Sequence, residues 1–515
     1  MHNLDHNLNR RDSLKPSVLA SAGLTLPLLN FLLATGAKMI LLVFLFGCNQ
    51  NIKRVDTEVK TIKKPNIIFL FSDDQSFKAV HALGNEEIKT PTIDKLVKEG
   101  VTFTHAYNMG GWNGAICTAS RAMIISGRSI WQAKQVSDDY SKNENLEKTW
   151  PRLMQKAGYD TYMTGKWHIE AKADSIFNHV GHVLRGMPWD TPEGYNRPLH
   201  RNDTTWKPWK REFGGYWKGG KHWSEVVKDD AVAFIDSASQ NDDPFFMYVA
   251  FNAPHDPRQS PKKYVDMYHL DSIAIPESYM PEYPYAETMG AGKTLRDEKL
   301  APFPRTEYAV KVNRQEYYAI TSHLDDQIKD ILDALEKKGL KENTYVFFTS
   351  DHGLAIGEHG LMGKQNMYDH SMRVPLMVMG PNLPKGKKIG EDVYLQDVMA
   401  TALEIAEIQK PGYVEFNSLL GLADGTQKKG TYDAVYGVYK EESQRMIRKD
   451  NYKLIVYPRS QTVLLYDLEK DPLELNDIPS NSENRNRLKM LFSDLMDLQN
   501  DMGDELNLKN MYENI

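Results

Sequence analysis

Two pairs of metal-ligating side chains each follow an apolar run in this sequence. Asp73-Asp74 comes after Ile67–Phe71, and Asp351-His352 follows Tyr345–Thr349 after one serine. Carboxylate oxygens are the ligands that Ca²⁺ and Mg²⁺ prefer, and the histidine nitrogen leaves room for a softer metal. One acidic pair alone would be explained equally well as a turn cap. The two pairs together favour a site for a hard divalent cation.

Nucleophilic and cationic residues form a second set. Cys117 stands just before a predicted helix that begins near Arg121, and a thiol near a helix N-terminus lies in a positive field. Free cysteines are more often small buried apolar residues, so the position alone does not establish reactivity. Basic residues follow other apolar runs. Any one of them alone would be interpreted as a solvated residue or as one satisfied in the core. As a set they would form a cationic pocket for a tetrahedral oxyanion. They are Lys166, His168, His255 and Lys364.

Short apolar runs alternate with longer amphipathic segments from Pro65 onwards. Near-continuous hydrophobicity is typical of strands covered on both faces, and the alternation predicts an α/β fold with a mixed, mostly parallel central sheet flanked by helices. Ligands bind such sheets at the carboxyl ends of the strands, where the residues above lie. The predicted strands are Ile67–Phe71, Thr102–Tyr107, Tyr159–Met163, Phe245–Phe251, Tyr345–Thr349 and Pro375–Met379. The predicted helices are Thr92–Glu99, Arg121–Ile125, Trp150–Lys156, Ser224–Ser239, Arg314–Lys338 and Leu395–Ile408.

The pattern changes after about residue 415, where short strands separated by turns precede a closing helix near Asn484–Met502. We therefore expect a catalytic domain at 65–415 and a smaller antiparallel α+β subdomain at 416–515. The predicted strands of the subdomain are Val435–Tyr439, Arg445–Arg448, Tyr452–Val456 and Val463–Asp467.

The first 48 residues have the composition of an export signal. Arg10 and Arg11 precede a mostly apolar stretch that ends Leu-Phe-Gly-Cys at Cys48. This ending resembles a bacterial lipobox, and the arginine pair resembles a twin-arginine signal. The alternative is a transmembrane anchor with an incidental cysteine, against which Asn30 and Lys38 within the stretch weigh. We expect an exported protein that is lipid-anchored to a bacterial membrane through Cys48, with a polar linker at 49–64.

The overall composition excludes several classes of protein. The 515 residues carry 63 Lys+Arg against 69 Asp+Glu, a net charge of −6, which argues against a nucleic-acid partner. A hydrophobic share of 41% with 26% charged residues excludes a disordered, fibrous or multi-span membrane protein. Cys48 and Cys117 are the two cysteines, so a disulfide framework is excluded.

Residues 186–223 contain five tryptophans, several cationic residues and no periodicity. A long loop of this kind inside a domain is usually functional, and this one is too aromatic for disorder. Aromatic faces suit sugar rings and cations suit carboxylates or sulfates, which predicts substrate recognition. The alternative is that the tryptophans pack the loop onto the domain. The candidate substrate-binding residues are Arg197, His200, Arg201 and His222.

Several segments, in the right order, resemble the formylglycine-dependent sulfatases of the alkaline phosphatase superfamily. The resemblance runs from about residue 64 to 480 and is specific because the motifs occur together. It implies the alkaline-phosphatase-like fold and the activity of a sulfuric ester hydrolase. The segments are Lys64–Gln75, Cys117–Arg121 with Ser126–Arg128, Gly165–His168, Thr349–Gly353 and Arg373–Leu376, followed by Met446–Arg448, Tyr452–Leu454 and Leu465–Pro472 of the C-terminal subdomain.

The resemblance also implies residue roles. Cys117 would be oxidised to formylglycine, whose hydrate attacks sulfur with one hydroxyl and expels sulfate through the other. Arg121 would steady this hydrate. Lys166 and His168 would stabilise charge, and His255 or Lys364 would protonate the leaving oxygen. The implied ligands of one calcium ion are Asp73, Asp74, Cys117, Asp351 and His352.

Two positions depart from the usual family pattern. Ala119 replaces a proline, as in substrates of radical-type bacterial maturation enzymes, and His352 replaces an asparagine, as in the iduronate-type branch. For an exported enzyme with a sugar-facing segment, we expect a sulfated carbohydrate substrate such as ulvan or carrageenan. A host glycosaminoglycan is an equally open alternative. The alternatives are a phosphonate or phosphodiester hydrolase on the same fold, and a non-catalytic glycan-binding lipoprotein if Cys117 is unmodified.

Overall fold

The central strand of the fold is a run of apolar residues that is buried on both faces. A computed structural model describes residues 63–140, 142–186, 191–478 and 484–515. The predicted export signal, the lipidation site Cys48, nearly all of the linker and Trp189 lie outside the described residues. In the central strand, Phe69 and Phe71 face one apolar cluster and Ile68 and Leu70 face another.

Within the described residues, nine strands form one sheet, and its middle strands are parallel. The strands, numbered along the chain, are β1 (Asn66–Asp73), β2 (Val101–Tyr107), β4 (Asp160–Lys166), β5 (His179–Leu184), β6 (Phe245–Pro254), β7 (Thr344–Ser350), β8 (Arg373–Val374), β9 (Leu376–Met379) and β10 (Lys387–Tyr394). Their order is β10-β2-β9-β7-β1-β6-β4-β5, and β8 pairs with β2. Strand β9 runs antiparallel to both of its neighbours. The predicted mixed, mostly parallel sheet is confirmed.

Helices cover both faces of this sheet. The described helices are α1 (Pro91–Glu99), α2 (Ile116–Ser126), α3 (Ile130–Ser137), α4 (Asn143–Leu146), α5 (Trp150–Lys156), α6 (Trp223–Ala238), α7 (Lys262–Val265), α8 (Glu307–Lys337), α9 (Asp369–Met372), α10 (Asp397–Ile405), α11 (Leu420–Asp424), α12 (Arg485–Met502) and α13 (Lys509–Glu513). Helices α1, α6 and α8 bury apolar side chains on one face, and α2, α5 and α10 do so on the other. Each apolar run of the sheet is therefore shielded from water on both sides, as its composition predicts.

The register of the parallel strands brings distant polar residues to one edge of the sheet. Asp73 pairs with Pro254 across β1 and β6, and Ser72 pairs with Ser350 across β1 and β7. The next residues along the chain, His255 and Asp351, therefore begin at the same level as Asp73. Parallel strands end at a common edge, so residues almost 280 positions apart in sequence become neighbours.

A second sheet forms from the C-terminal part of the chain and one earlier segment. Its strands are β3 (Gly110–Gly111), β11 (Val435–Tyr439), β12 (Gln444–Lys449), β13 (Tyr452–Tyr457) and β14 (Thr462–Asp467), in the order β14-β13-β12-β11-β3. Strand β3 pairs in parallel with β11. A Cβ atom at Gly110 would lie 1.9 Å from the Val438 carbonyl oxygen, so this contact requires glycine. The predicted antiparallel sheet is present, and its boundary near residue 415 stays a prediction.

Several predicted elements differ from the structure at their ends or were missed. Helix α2 begins at Ile116, so Cys117 lies in its first turn, while the prediction began the helix at Arg121. Helix α8 begins at Glu307, where the Thr306 hydroxyl accepts a hydrogen bond from the Ala309 amide at 3.1 Å. Strands β5 and β10 were not predicted because they are edge strands with mixed polar composition. Within the described part of the chain, no helix is long and apolar enough to cross a membrane.

Candidate active site

Buried polar side chains from five separate segments meet at the carboxyl edge of the central sheet. Asp73 ends β1, Lys166 ends β4, and His255 and Asp351 follow β6 and β7 directly. Cys117 is contributed by the first turn of α2. The structure thus brings the implied nucleophile together with the implied metal ligands, in a place that sequence order alone does not suggest.

Cys117 lies at the centre of this cluster and is 2% exposed. Its Sγ atom lies 3.3 Å from His352 Nε2 and 3.3 Å from Lys364 Nζ. Burial raises the pKa of the Cys117 thiol, but Lys166, Lys364 and His352 outweigh burial and hold this pKa well below its usual value. The surroundings therefore favour an anion at position 117, as a nucleophile requires.

Three carboxylates next to Cys117 form the candidate metal site. One ligand atom each from Asp73, Cys117, Asp351 and His352 lies within 4.8 Å of the others, and Asp73 and Cys117 make a second such group with Asp74 and His255. Burial and the nearby Asp351 carboxylate raise the pKa of Asp73 well above its usual value. Asp73 Oδ1 is buried and has no hydrogen-bond partner among the described residues. Crowded carboxylates with an unsatisfied oxygen fit a hard divalent cation.

Asp74 is turned into the site by its backbone conformation. Its φ is 65°, and its amide donates a hydrogen bond to Asp351 Oδ1 at 3.1 Å. The carboxylate oxygens lie 2.9 and 3.0 Å from Lys364 Nζ, and Oδ1 lies 3.1 Å from His352 Nε2. A left-handed conformation outside glycine is strained, and such strain is common at functional sites.

Arg121 contacts the candidate metal ligands through its buried guanidinium. Its Nε and Nη2 atoms each lie 3.1 Å from Asp351 Oδ2, and Nη1 donates to the Lys166 carbonyl at 2.8 Å. Burial alone would raise the pKa of Asp351. The neighbouring His352 and Arg121 help to lower this pKa to about 2. Within the described residues Arg121 makes no hydrogen bond to Cys117, so its direct geometric role is to fix the Asp351 carboxylate.

Lys166 and His168 approach the nucleophile from β4 and the segment after it. The Lys166 ammonium is 1% exposed and donates to Asp73 Oδ2. Burial lowers the pKa of His168 below its usual value. His168 is half-buried, whereas Lys166 is fully enclosed. The two residues supply one interior cation and one neutral ring nearer to solvent.

His255 and Lys364 form the other side of the pocket. His255 Nε2 lies 3.1 Å from Lys364 Nζ and 3.6 Å from Asp74 Oδ2. Burial opposes the protonated form of His255, but Asp256 and Asp74 raise its pKa to about 10. A protonated imidazole beside a lysine ammonium can donate a proton or stabilise a leaving oxygen.

Sequence reasoning missed the residues that orient this pair. His255 Nδ1 lies 3.0 Å from Asp256 Oδ1, and Arg296 Nη2 lies 3.3 Å from the same oxygen. Asp297 accepts a hydrogen bond from Gln365 at 2.7 Å. The adjacency of Asp256 to His255 was a usable signal, because a carboxylate often fixes a histidine ring. Arg296 and Asp297 lie in a segment without periodicity, which offered no such signal.

Two of the predicted substrate-binding residues are corrected by their burial. Arg197 is 3% exposed, with Nη2 2.5 Å from Glu316 Oε2 and its guanidinium 4.7 Å from the Trp206 ring centroid. His222 has no exposed surface; its Nε2 lies 2.7 Å from the Gln259 carbonyl oxygen, and its Nδ1 accepts from the Ser224 amide at the start of α6. Both side chains are occupied by internal partners, which is not what we expected of residues that bind a substrate directly.

The remaining residues of the tryptophan-rich segment divide between surface and interior. His200 and Arg201 are exposed and make no contact with the catalytic cluster among the described residues. Trp206, Trp217 and Trp223 are buried, while Trp209 is half-buried. For the three buried rings, the structure agrees with the alternative that tryptophans pack the segment onto the domain.

Two family models match this chain. The model described as Sulfatase matches residues 65–408, and the model described as N-sulphoglucosamine sulphohydrolase, C-terminal, matches residues 357–501. The first covers the whole central sheet and every residue of the catalytic cluster. The second covers the strands of the antiparallel sheet that follow residue 415.

Curated relatives match along most of their own length. An arylsulfatase of Clostridium perfringens is 30% identical over 459 residues, which cover 83% of this chain and 93% of the relative. An ulvan-active sulfatase of Formosa agariphila is 26% identical over 487 residues, which cover 91% of this chain and 87% of the relative.

Solved structures support the fold. One, described as bound to its substrate D-glucosamine-2-N,6-O-disulfate, matches with a TM-score of 0.68 at 22% identity and covers 86% of this chain and 99% of that one. A phosphonate monoester hydrolase of Agrobacterium radiobacter matches with a TM-score of 0.65 at 20% identity, covering 85% of this chain and 96% of that one. The family model and the arylsulfatase relative carry the assignment further than the fold does: this chain belongs to the sulfatase family and is a sulfuric ester hydrolase.

Proposed function

We propose that this protein hydrolyses sulfate monoesters on a sulfated carbohydrate, using a formylglycine formed from Cys117 and a bound Ca²⁺. The observation that carries the proposal is the position of Cys117 Sγ, 3.3 Å from both His352 and Lys364 and grouped with the carboxylates of Asp73 and Asp351. A nucleophile enclosed by cations and metal-ligating carboxylates suits attack on a tetrahedral oxyanion ester.

Members of the family typically use a metal ion and formylglycine, and the donor set here fits the metal. Asp73, Asp74 and Asp351 supply oxygen atoms and His352 supplies one nitrogen. The unsatisfied Asp73 Oδ1 supports the fit, because a buried carboxylate oxygen without a partner is costly. When bound, Ca²⁺ would supply Lewis-acid stabilisation of the anionic ester.

After oxidation to formylglycine, residue 117 would supply the nucleophilic oxygen. This oxygen would take the place that Cys117 Sγ now occupies. Lys166 and His168 lie where they can stabilise charge on the sulfate oxygens. Lys364 and His255 face position 117 from the other side and are positioned to donate a proton to the leaving oxygen. Arg121 keeps the Asp351 carboxylate oriented throughout.

The names of the relatives support a carbohydrate substrate. One relative is called ulvan-active, and one structural neighbour is described with a disulfated glucosamine. An algal polysaccharide such as ulvan or carrageenan and a host glycosaminoglycan both fit this support. Uronate or sulfate groups along either polymer would meet the exposed side chains of His200 and Arg201.

Maturation and location are part of the same proposal. Ala119, two residues after Cys117, supports conversion by a radical-type maturation enzyme. Cys48, outside the described residues, would carry the lipid anchor that holds the exported enzyme to a bacterial membrane.

The second candidate function is hydrolysis of phosphonate monoesters or phosphodiesters, which the phosphonate hydrolase neighbour favours. A third is glycan binding without turnover, if Cys117 stays a thiol.

A panel of aryl and sugar sulfates, phosphonates and phosphodiesters tests all three functions on the purified, matured protein and its Cys117→Ala variant. We expect sulfate release from sugar sulfates that Cys117→Ala lacks, while circular dichroism shows both proteins folded. Faster phosphonate or phosphodiester cleavage, or equal activity of the two proteins, would overturn the proposal.

A further inference from the structure

A pocket of about 480 Å³ lies between the tryptophan-rich segment and helices α7 and α8. Its lining includes Trp206, Lys207, Trp209, Tyr268 and Tyr308, and we call it the tryptophan pocket. None of the candidate catalytic or metal-ligating residues lines it. Within the part of the chain described, the residues that line the tryptophan pocket are therefore separate from the candidate catalytic residues.

The wall of the tryptophan pocket shares helix α8 with the candidate active site. It contains the buried Arg197–Glu316 ion pair, with Nη1 2.7 Å from Oε1. The next residue of α8, Tyr317, donates its hydroxyl hydrogen bond to the Asp74 carbonyl at 2.8 Å. The same turn of α8 therefore supports both the catalytic Asp74 and the pocket. A ligand bound in the pocket would be held in a fixed relation to the reacting ester.

The aromatic rings give the pocket partly apolar walls with polar groups between them. Trp206 is stacked between Phe213, at 5.1 Å, and the Arg197 guanidinium, so its ring is already fixed in place. Trp209 and Tyr308 are half-buried and keep part of their surface open. Aromatic rings beside a few placed polar groups form the kind of wall against which a sugar ring packs.

Cations without acidic partners surround these open rings. Lys207 Nζ lies 5.8 Å from the Trp209 ring centroid, and the Arg201 guanidinium lies 5.3 Å from that of Tyr308. Among the described residues neither Lys207 nor Arg201 has an ion-pair partner. They are thus available to an anionic ligand.

The acidic residues of the same lining leave part of this positive charge uncompensated. Asp266 lies 2.5 Å from Lys262, and Glu316 is paired with Arg197. Asp203 accepts hydrogen bonds from the Leu199 amide and the Thr205 hydroxyl, and among the described residues it has no ion-pair partner. Two unpaired cations thus stand against one unpaired carboxylate, and this excess favours a glycan that carries sulfates or carboxylates.

We propose that the tryptophan pocket binds an anionic sugar unit of the glycan at a distance from the ester that is cleaved. This inference rests on the proposed carbohydrate substrate, and it adds a second binding site that lengthens the recognised segment of the polymer. Two linked contacts on one chain raise affinity without any change in the chemistry of the first.

Binding to a catalytically inactive protein tests the pocket directly. The full chain with Cys117→Ala is titrated by calorimetry with ulvan-derived and heparin-derived hexasaccharides. For whichever hexasaccharide the Cys117→Ala protein binds, a second substitution, Trp209→Ala or Lys207→Glu, should lower the affinity about tenfold, which corresponds to about 1.4 kcal/mol. Lys207→Glu reverses one partly exposed charge and keeps the ring packing, so it remains informative if Trp209→Ala is unstable. Lys210→Ala removes a lysine of the same segment that does not line the pocket, and it should leave the affinity unchanged.

Kinetic measurements on the matured enzyme distinguish failure of this inference from failure of the proposed function. In the matured enzyme, Lys207→Glu should lower the ratio of kcat/KM for the hexasaccharide to kcat/KM for 4-nitrophenyl sulfate by about tenfold, mainly through KM. Affinities equal to that of the parent in both pocket variants would overturn the inference, as would a parent that binds neither hexasaccharide. Failure of the matured enzyme to release sulfate, with pocket-dependent binding intact, would count against the proposed function alone.

Discussion

Lys364 Nζ lies 3.3 Å from Cys117 Sγ and 3.1 Å from His255 Nε2. Asp74 also binds this ammonium through both of its oxygens. One buried lysine therefore links the proposed nucleophile, a candidate metal-ligating carboxylate and His255. We expect substitutions of Lys364 to affect catalysis more than the rest of the fold.

Removal of the Lys364 ammonium should slow the chemical step. Lys364→Ala is expected to lower kcat by about 10²- to 10⁴-fold, because a positioned proton donor and cation are lost together. The loss should be larger for an alkyl or sugar sulfate than for 4-nitrophenyl sulfate, whose leaving group needs no proton. Steady-state kinetics with both esters measure this difference. The same loss on both esters would argue that Lys364 has no role as a proton donor.

Asp256 should act as a positioning residue for His255. Asp256→Asn keeps the size of the side chain and the 2.7 Å contact of His255 Nδ1 with the Asp256 carbonyl, but it removes the charge 3.0 Å from Nδ1 that favours the protonated ring. We expect kcat to fall by about 10- to 100-fold with little change in KM, again more for sugar sulfates than for aryl sulfates. Asp271→Asn changes an exposed aspartate and should behave as the parent. A rise in KM at constant kcat would instead assign Asp256 to substrate binding.

The carboxylate cluster should make the folded state depend on a divalent cation. Removing metal with a chelator is expected to lower both the activity and the thermal midpoint, and Ca²⁺ should restore both. At a hundredfold excess of free Ca²⁺ over its Kd the stabilisation should reach about 2.7 kcal/mol. Asp73→Asn should abolish the calcium-dependent shift, whereas Asp242→Asn, on an exposed residue, should retain it. A thermal midpoint that no divalent cation changes would contradict the metal assignment.

The segment directly after the closing helix α12 should be held by a pH-dependent ion pair between Asp504 and Arg445 of β12. Burial raises the pKa of Asp504, but Arg445, with Nε 2.5 Å away, outweighs burial and lowers this pKa below its usual value of 3.8. A lowered folded-state pKa adds stability above the unfolded-state value, and this stability is lost as the pH falls through the folded-state pKa.

Asp504→Asn should therefore cost about 3–5 kcal/mol at pH 7 because it leaves Arg445 buried without its counter-charge. The difference in thermal midpoint between parent and variant should narrow below about pH 4. Asp501→Asn, on an exposed residue in the last turn of α12 three positions before Asp504, serves as the matched control. A difference that is the same at pH 3.5 and pH 7 would show that the pair contributes no titratable stability.

The sequence was sufficient to predict six of the nine described strands of the central sheet and the residues that meet at its edge. Parallel strands read as short apolar runs, and the polar residues that follow Phe71 and Thr349 must lie at one edge once those strands pair. Edge strands β5 and β10 escaped prediction because half of each faces solvent and the apolar signal is diluted. The start of α2 was placed too late because no capping side chain marks it.

The partners of individual polar side chains were much harder to predict. Arg197 and His222 stand in a loop whose composition suits ligand binding, yet their partners Glu316 and Gln259 come from distant segments without a sequence signal. Asp256 lies beside a predicted residue, but only the fold shows that its carboxylate reaches Nδ1 of His255. Tertiary pairing of polar groups is set by the assembled structure and leaves little trace in local spacing.

The chemical identity of residue 117 tests the account most directly. Intact-mass analysis of the peptide that contains Cys117, taken from catalytically active protein, should show a loss of about 18 Da relative to cysteine, since the thiol-bearing carbon becomes an aldehyde. The converted fraction should rise and fall with the specific activity across preparations. Full sulfatase activity in protein whose residue 117 is entirely unmodified cysteine would contradict the account.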